Sequence, residues 1–561
     1  KKVRRSLIQM TIFHKCRPGV HKLVVRFAVL LLSTFGILTT AQAGPRDDTL
    51  YWSSAATFEN LSPYYDFRPE GLAFKHLVWD SLFYREPNKP EFKPLLATKL
   101  KWIGTTTVEI ELRQGVVFHN GDRFTADDIL ETVRRLKDPN AGLPRHRAIR
   151  WIGDVEKLGS HKVRFNLKRP TPNLMELLSG PFVVVPKATW ANAPLDDNGR
   201  PDYRRMDPEG SGPYRVTRIE PDSSVEVEIF RRYFKGPKSR SLIRRIKFET
   251  VEDSGERLVQ LLNGRLDFIW RISKSAYERV GSEGVPLQLL RSPSLRIAFL
   301  LMDRAGRNDE KSPLRDVRVR RAIAHSINRA EIARKVFGSR SNVVQALCHP
   351  AQIGCFRDVR SYEYSPETAR KLLSSAGYGP AGKYRIIDKL NNLATRLPGK
   401  PPEKMERPRS IISDILSYRN HAASLDMTLY LKAVGIDSRV EEYAGYERAL
   451  ANLKAGRVDL AHMTWASHGS FDLADLLNPL FRNGFLDYCG DAEINRWLDV
   501  AANTNDRKVR NRAFRNILVR LQDIACVLPL FSYTTFYAFS KRLEFTPALD
   551  DVPRFYNTRW K

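Results

Sequence analysis

A short segment near residue 110 most constrains the fold, because its pattern changes from strand to helix without a long connection. Val108–Leu112 alternates apolar and acidic residues with a period of two, which is typical of a half-buried strand. Val116–Phe118 predicts a second short strand, and Asn120-Gly121 is a tight-turn signal. Thr125 precedes Asp128 at the spacing of a capping box and opens a run with helical periodicity. The segment therefore predicts strand, turn, strand, turn and helix.

The same alternation of strand and helix patterns continues along the chain. Gly210–Val216 is a glycine-rich loop that enters a strand, and Leu258–Ile269 contains a helix end, a turn and a short strand. Val319–Ile327 and Ser365–Gly377 carry apolar residues at helical intervals. These patterns predict an α/β fold class, and 561 residues are too many for one hydrophobic core, so we expect two or more lobes.

The first forty-three residues differ in composition from the rest of the chain. They contain eight Lys or Arg residues and no acidic residue, and the apolar run Phe27–Leu38 is shorter than the roughly 20 residues that cross a bilayer. Ala41-Gln42-Ala43 then matches the small-x-small pattern of a cleavage site. We therefore expect residues 1–43 to be a cleaved signal peptide and the mature protein to be periplasmic, without a transmembrane helix.

The chain is strongly basic. Its formal net charge is +29, and removing the eight positive charges of the predicted signal peptide leaves +21. A basic surface favours nucleic acids, anionic lipids or acidic ligands. Because the Lys and Arg residues are scattered and no nucleic-acid-binding motif surrounds them, we expect no nucleic acid as a partner of this exported chain.

Four of the five cysteines follow the predicted signal peptide, and an even number in an oxidising compartment predicts two disulfides. Proximity in sequence suggests that Cys348 pairs with Cys355 and that Cys489 pairs with Cys526. The alternative is a metal site formed by the first two cysteines and His349, although zinc sites usually have tighter paired spacings. We expect no metal and no other cofactor.

Several segments together resemble one family, the large extracellular solute-binding proteins that serve oligopeptide, dipeptide and nickel ABC importers (bacterial solute-binding family 5). The most specific is "IELRQGVVFHNGDRFTADDILETVRRL" at Ile110–Leu136. The others follow in the order found in that family: "GSGPYRV" at 210–216, "QLLNGRLDF" at 260–268, "DVRVRRAIAHSINRAEI" at 316–332, "SPETARKLLSSAGY" at 365–378 and "VGIDSRV" at 434–440.

The resemblance implies a two-lobed periplasmic binding protein fold with a hinge, of the large type with an extra subdomain in lobe I. Lobe I would be discontinuous, with residues 44–292 and 527–561, and lobe II would contain residues 293–526. Two apolar strands, Pro293–Leu300 and Val527–Phe531, are the hinge candidates. Such lobes close on a ligand by hinge motion.

The resemblance also implies a function, which is the periplasmic substrate-binding component of an ABC importer and not an enzyme. The expected partners are a peptide or peptide-like solute and the permease and ATPase complex of the inner membrane, with the protein itself a monomer. An alternative keeps this role with a non-peptide cargo: haem, a metal chelate, an opine or an oligosaccharide. A more remote alternative is a secreted hydrolase, but the sequence contains neither Gly-x-Ser-x-Gly nor His-Glu-x-x-His.

The resemblance points to a few ligand-binding residues. In the family, a Trp followed three positions later by an acid commonly lines the cleft, and in peptide binders that acid pairs with the ligand's ammonium group. Here Trp465 is followed by His468, which cannot supply an anion and could instead meet an anionic ligand, a metal or a porphyrin. Asp472 could substitute for the acid if the loop bends. Thr57 and Phe58 fall in another segment that lines the cleft in similar proteins.

Overall fold

A computed structural model describes most of the chain: residues 47–139, 141, 149–238, 242–282, 285–339, 342–378, 417–438, 440, 446–466 and 470–561. Two sequence-based predictions lie outside the described residues, namely the signal peptide at 1–43 and the ligand contact of His468. Within the described ranges, every helix is too short or too polar to cross a bilayer.

The strands and helices alternate along the chain, as the sequence predicted. The strands are β1 Thr49–Ser54, β2 Phe83–Arg85, β3 Phe92–Pro94, β4 Ala97–Trp102, β5 Thr107–Leu112, β6 Ile152–Gly159, β7 Lys162–Leu167, β8 Tyr214–Glu220, β9 Ser224–Ile229, β10 Arg245–Thr250, β11 Phe268–Trp270, β12 Leu287–Met302, β13 Leu460–Trp465, β14 Val527–Ser540, β15 Leu543–Glu544 and β16 Arg559–Trp560. The helices are α1 Pro69–Val78, α2 Ala126–Lys137, α3 Leu174–Leu178, α4 Lys187–Ala191, α5 Ser254–Leu262, α6 Lys274–Ser282, α7 Val317–Ser326, α8 Arg329–Phe337, α9 Pro366–Ser375, α10 Ser417–Ala433, α11 Tyr446–Lys454, α12 Ala474–Leu480, α13 Ala492–Ala502 and α14 Arg507–Ile524.

The largest sheet of the described chain has eight strands in the order β13-β12-β14-β11-β1-β10-β9-β8. β1 pairs in parallel with β10 and β11, and β12 pairs antiparallel with β13 and β14. A separate four-stranded antiparallel sheet has the order β4-β5-β7-β6. β14 pairs with β12 along most of its length and with β11 through its last residues, so it joins β12 and β13 to the rest of the sheet.

The segment that resembles the family signature folds largely as predicted. β5 is half-buried with alternating exposure, and α2 begins with a capping box in which the Asp128 carboxylate accepts a hydrogen bond from the Thr125 N–H over 2.8 Å. The predicted strand Val116–Phe118 is wrong: the structure has only an isolated bridge between Val117 and Arg123. The Phe118 N–H donates to the Asp122 carbonyl over 2.9 Å and the Phe124 N–H donates to the Val116 carbonyl over 3.0 Å, and the pairing extends no further than this bridge.

Three large hydrophobic clusters hold the fold together. The first draws on residues 50–270 and 537–556, the second on 297–301, 344–359 and 473–527, and the third on 298–302, 314–373, 423–436 and 528–533. β14 therefore packs its beginning against the second and third clusters and its end against the first. We call the part of the chain around the first cluster one packed unit and the part around the second and third clusters the other. The chain passes from the second unit into the first in the middle of β14.

β12 divides its side chains between two of these clusters. Ile297, Phe299 and Leu301 point into the second cluster, whereas Ala298, Leu300 and Met302 point into the third. Since successive strand residues face opposite sides of a sheet, both faces of β12 are covered by helices. Burial on both faces explains why this strand has an apolar run instead of an alternating pattern.

Two disulfides reinforce the second cluster, and the predicted pairing is confirmed. Cys348 bonds Cys355 with a Cα–Cα distance of 5.6 Å, and Cys489 bonds Cys526 with a Cα–Cα distance of 5.5 Å. The alternative metal site is wrong, because both of its cysteines are oxidised and His349 Nδ1 accepts a hydrogen bond from the Ala351 N–H over 3.1 Å.

Candidate functional site

A deep cleft of about 1940 Å³ separates the first cluster from the other two. Its wall combines residues of the first cluster with residues of the second and the third: Phe58 and Trp151, Ala474 and Leu486, Leu300 and Met427. The edge strand β13 contributes all six of its residues. A concave site between packed units is a common place for a small ligand.

Two of the residues predicted to bind ligand line this cleft. Trp465 ends β13 and donates its indole N–H to the Asp475 carbonyl over 3.2 Å. Phe58 also lines the cleft but is only 3% exposed, because its ring packs edge-on against Phe74 and Phe248 at centroid distances of 5.4 and 5.3 Å. Trp465 is thus the more available of the two aromatic contacts.

Thr57 and Asp472 occupy other positions. The carbonyl of half-buried Thr57 accepts a hydrogen bond from Arg68 Nη2 over 2.7 Å, so its backbone orients a cleft arginine. Asp472 is buried behind the wall, where Arg510 donates to both of its carboxylate oxygens and the Ala474 N–H donates to Oδ1 over 2.9 Å. The Asp472 carboxylate therefore faces the protein interior and not the cavity.

The cleft has a strong excess of positive charge. Among the described residues that line it, thirteen are Lys or Arg and five are Asp or Glu. Three of the five carboxylates are paired with cleft arginines: Asp66 with Arg68 at 2.6 Å, Glu176 with Arg85 at 3.1 Å and Asp550 with Arg85 at 3.0 Å. Much of the negative charge in the wall is therefore already neutralised by the protein.

Arg271 is fixed in the cleft by a buried acid. Its Nη2 and Nε lie 2.7 and 3.0 Å from one carboxylate oxygen of Asp551, whose other oxygen accepts a hydrogen bond from Thr535 over 2.6 Å. Its guanidinium lies 4.9 Å from the ring centre of Trp270. Arg271 has φ +55°, a conformation that costs energy in a residue other than glycine and that persists only where the surrounding structure enforces it.

Arg296 also lines the cleft and lies near Arg271. It is half-buried on β12, and its Nη1 donates to Thr464 Oγ1 over 3.3 Å. Among the described residues, no carboxylate lies within ion-pair distance of Arg296. Burial, and then the like charge of Arg271, lower the pKa of the Arg296 guanidinium, which remains a cation at neutral pH because its ordinary value is so high.

Lys75 and His462 add groups whose charge depends on burial. Lys75 Nζ donates to the Pro181 carbonyl over 3.2 Å, and burial lowers the pKa of Lys75 to about 7. Burial also lowers the pKa of His462 to about 4, so its ring is neutral, with Nδ1 2.8 Å from Ser424 Oγ. At neutral pH Lys75 is thus a titrating cation of the cleft wall and His462 is a neutral imidazole.

The part of the chain that the structure describes contains no group of three or more His, Cys, Asp or Glu side chains placed to hold a metal. Sequence reasoning missed Lys75, Arg271 and Arg296 as cleft residues. The sequence did mark Arg296, because this residue interrupts an apolar strand. Charged side chains are rarely buried in such a strand unless they have a binding or pairing role.

An α/β fold of two packed units, with long strands crossing between them and a ligand-sized cleft in between, defines a two-lobed solute-binding protein. Residues 91–485 match the family "Bacterial extracellular solute-binding proteins, family 5 Middle". The chain belongs to this family. The predicted fold class and family resemblance are therefore confirmed.

Individual proteins are similar at lower levels. The chain is 28% identical to di/tripeptide-binding protein 2 of Pseudomonas aeruginosa over 378 residues, covering 64% of this chain and 68% of the relative. It is 27% identical to haem-binding protein A of Haemophilus influenzae over 286 residues, covering 48% of this chain and half of the relative. The crystal structure of NikA from Brucella suis in complex with Fe(III)-EDTA matches with a TM-score of 0.75 and 21% identity, covering 91% of this chain and 100% of NikA.

Proposed function

We propose that this protein is the periplasmic substrate-binding component of an ABC importer, which captures peptides or peptide-like solutes and delivers them to a membrane permease. The observation that carries the proposal is the cleft of about 1940 Å³ whose wall is built from all three large hydrophobic clusters. A ligand in this position contacts both packed units at once, and it can therefore stabilise a closed arrangement that a permease distinguishes from an open one.

We further propose that the two units move as lobes about the centres of β12 and β14. As expected from the sequence, lobe I would contain residues 44–292 and 527–561, and lobe II would contain residues 293–526. Val527–Tyr533 packs with the second and third clusters, whereas Tyr537 and Phe539 pack with the first. This packing supports a boundary between lobe II and lobe I within β14, a few residues after Val527. The hinge would then lie in the central residues of this strand.

An extended peptide suits the edge of the cleft. β13 is the first strand of the described eight-stranded sheet and pairs only with β12, so its outer edge presents backbone N–H and C=O groups. A peptide laid along this edge can form main-chain hydrogen bonds that do not depend on its sequence. Trp465 at the end of β13 offers an aromatic contact for a ligand side chain. The similarity to a di/tripeptide-binding protein supports the same cargo.

We propose binding without turnover. Membership of a solute-binding family supports this, and recognition accounts for the paired arginines, the aromatic side chain and the open strand edge of the cleft. The similarity to a haem-binding protein keeps one alternative cargo in the same transport role. The test of cargo must therefore separate peptide from haem.

The experiment is to purify the protein from its native periplasm, release its ligand by denaturation and identify that ligand by mass spectrometry. A thermal-shift screen with di- and tripeptides, haemin and metal chelates accompanies it. We expect a co-purifying peptide and a rise in melting temperature with peptides, since a ligand that binds only the folded state stabilises it. Haemin binding with a Soret band and no response to peptides would replace the peptide cargo. Hydrolysis of an added peptide would contradict the binding role itself.

A further inference from the structure

We propose that the cleft selects acidic peptides, those with two or more carboxylates, and that Arg296 is the side chain that makes the selection. This inference rests on the proposed peptide-binding function and adds the charge class of the cargo. It is carried by the charges of the cleft wall, by the position of Arg296 on β12 and by the contrast between Arg271, which is paired with Asp551, and Arg296, which donates to the hydroxyl of Thr464.

Arg296 is a cation whose partner is not supplied by the described protein. Arg271 is paired with Asp551, Arg85 with Glu176 and Asp550, and Arg510 with Asp472. Arg296 donates to the hydroxyl of Thr464 at 3.3 Å, and the like charge of Arg271 acts on it more strongly than the carboxylate of Asp551, which is already paired with Arg271. A half-buried guanidinium in this setting is stabilised by an incoming anion, and a carboxylate can bind its planar fork with two parallel hydrogen bonds.

The backbone holds Arg296 in place. The pairing of β12 with β14 runs through Pro293–Thr534 and resumes at Ile297–Ser532, so β12 has two extra residues between these points. The bulge is anchored by a hydrogen bond of 2.7 Å from the Leu295 N–H to the Leu549 carbonyl. Bulges bend a strand and redirect its side chains. Here the bulge precedes Ile297, from which the side chains of β12 enter the second and third clusters. Arg296 lines the cleft instead of entering either cluster.

The wall offers little to a cationic ligand. Asp472, the acid nearest in sequence to the Trp465 segment, is bound on both oxygens by Arg510 inside the protein. Three of the five carboxylates in the wall, those of Asp66, Glu176 and Asp550, are each bound by arginine. A ligand with lysine side chains would meet repulsion from the remaining cations, whereas glutamate side chains would be attracted. Charge therefore discriminates among peptides that the edge of β13 binds without regard to sequence.

The test compares two tripeptides of nearly equal shape, Ala-Glu-Glu and Ala-Gln-Gln, with Ala-Lys-Lys as the opposite charge. Affinities are measured by isothermal titration calorimetry on the full mature protein at about 0.02 M and about 0.2 M salt, because screening weakens contacts between charges. We expect Ala-Glu-Glu to bind about tenfold more tightly than Ala-Gln-Gln at low salt, the weakest binding for Ala-Lys-Lys, and a smaller ratio at high salt.

The variant Arg296→Gln should lose most of the difference between the Glu and Gln peptides, because the affinity for Ala-Glu-Glu falls more than the affinity for Ala-Gln-Gln. The matched control is Arg244→Gln, the same change at an exposed arginine outside the cleft, which should keep the wild-type ratio. Arg296→Lys keeps the charge without the planar fork and should give an intermediate ratio. Circular dichroism and thermal melting establish that each variant is folded.

The outcomes separate the two proposals. Peptide binding by the wild type with no preference for Ala-Glu-Glu would overturn this inference and leave the proposed function standing. A preference that Arg296→Gln retains would overturn the role of Arg296. If Arg296→Gln does not fold, two other results would overturn the role of Arg296. One is a wild-type preference for Ala-Glu-Glu that salt does not weaken, and the other is a full preference in Arg296→Lys at both salt concentrations. Binding of none of the peptides, with binding of haemin or a chelate, would overturn both proposals.

Discussion

Asp472 and Arg510 form a bidentate ion pair inside the protein, with Nη1 2.6 Å from Oδ2 and Nη2 2.8 Å from Oδ1. Their side chains are 3% and 8% exposed, and Arg510 also donates from Nε to the Ala501 carbonyl over 3.1 Å. The pair joins the loop before α12 to the first turn of α14. An acid that looked available for a ligand in the sequence is thus part of the scaffold behind the cleft.

The first prediction concerns this pair. Asp472→Asn should lower the free energy of unfolding by about 3 kcal/mol, because it leaves the Arg510 charge buried without a counter-charge. Denaturant titration measures the loss. Asp358→Asn is the control, since Asp358 forms a similar pair with Arg515 on the surface and its loss should have little effect. Normal stability with weakened peptide binding would instead make Asp472 a ligand contact.

The second prediction ranks the two disulfides. In the chain-entropy description, a disulfide that closes a longer loop removes more freedom from the unfolded chain. Replacing Cys489 and Cys526, which are 37 residues apart, with alanine should cost about 4 kcal/mol, and replacing Cys348 and Cys355, which are 7 apart, about 2.5 kcal/mol. Denaturant unfolding of both double variants checks the order. A larger loss for the shorter loop would count against this entropic origin.

The third prediction concerns acid stability and His119. The His119 Nδ1 accepts a hydrogen bond from the Gly210 N–H over 3.3 Å, and Nε2 lies 3.0 Å from the Gly212 carbonyl, so the neutral ring satisfies both neighbours. Burial lowers the pKa of His119 to about 4, below its unfolded value of about 6.5. As pH falls, the unfolded chain takes up a proton that the folded protein refuses. The free energy of unfolding should therefore fall by about 2 kcal/mol between about pH 7 and about pH 5 from this residue alone.

His119→Gln should remove that part of the pH dependence, as measured by denaturant titration at each pH. His161→Gln is the matched control, because His161 lies at the hairpin turn between β6 and β7, where its ring contacts Ser160. It should leave the slope with pH unchanged. An unaltered slope in His119→Gln would show that His119 takes up its proton in the folded protein.

The fourth prediction uses Lys75, whose pKa burial lowers to about 7. Its positive charge is present below that pH and lost above it. The affinity for an acidic tripeptide should therefore weaken as pH rises from about 6 to about 8. Lys75→Met should not show this change, and subtracting its titration from that of the wild type cancels the ionisation of the peptide itself. Identical profiles would place Lys75 outside the electrostatic reach of the ligand.

The fifth prediction tests whether His468 contacts the ligand, as the sequence leads us to expect. His468→Ala should weaken ligand affinity and change the free energy of unfolding by less than about 1 kcal/mol, as is usual for a residue outside the core. Calorimetry and denaturant titration on the same preparation measure both quantities. Marked destabilisation with unchanged affinity would assign His468 to the core.

Much of the fold was predictable because its signals are local. The period of two in β5, the capping box of α2 and the proline after Ser365 act within a few residues of each other, and the structure contains each of these elements. The disulfides were predictable from number and spacing. The strand expected at Val116–Phe118 failed because a turn signal next to a short apolar run limits the ladder to a single bridge.

The site was much less predictable, since its parts come together only in the folded chain. Asp472 and Arg510 are 38 residues apart, and Arg271 and Asp551 are 280 apart, so no local pattern indicates that either acid is already engaged. Only Arg296 left a trace, as a charge within an apolar strand. Trp465 was found through the family resemblance and not through its chemistry.

The division of β12 between two clusters limits how the chain length can vary. Deleting or inserting one residue after Ile297 would exchange the two faces, sending Phe299 and Leu301 toward the space shaped for Leu300 and Met302. A single insertion or deletion in β12 would therefore disrupt the packing of both clusters. The same change in a surface loop would leave the clusters intact. A designer who wishes to lengthen this protein should therefore extend its surface turns and keep the length of this strand unchanged.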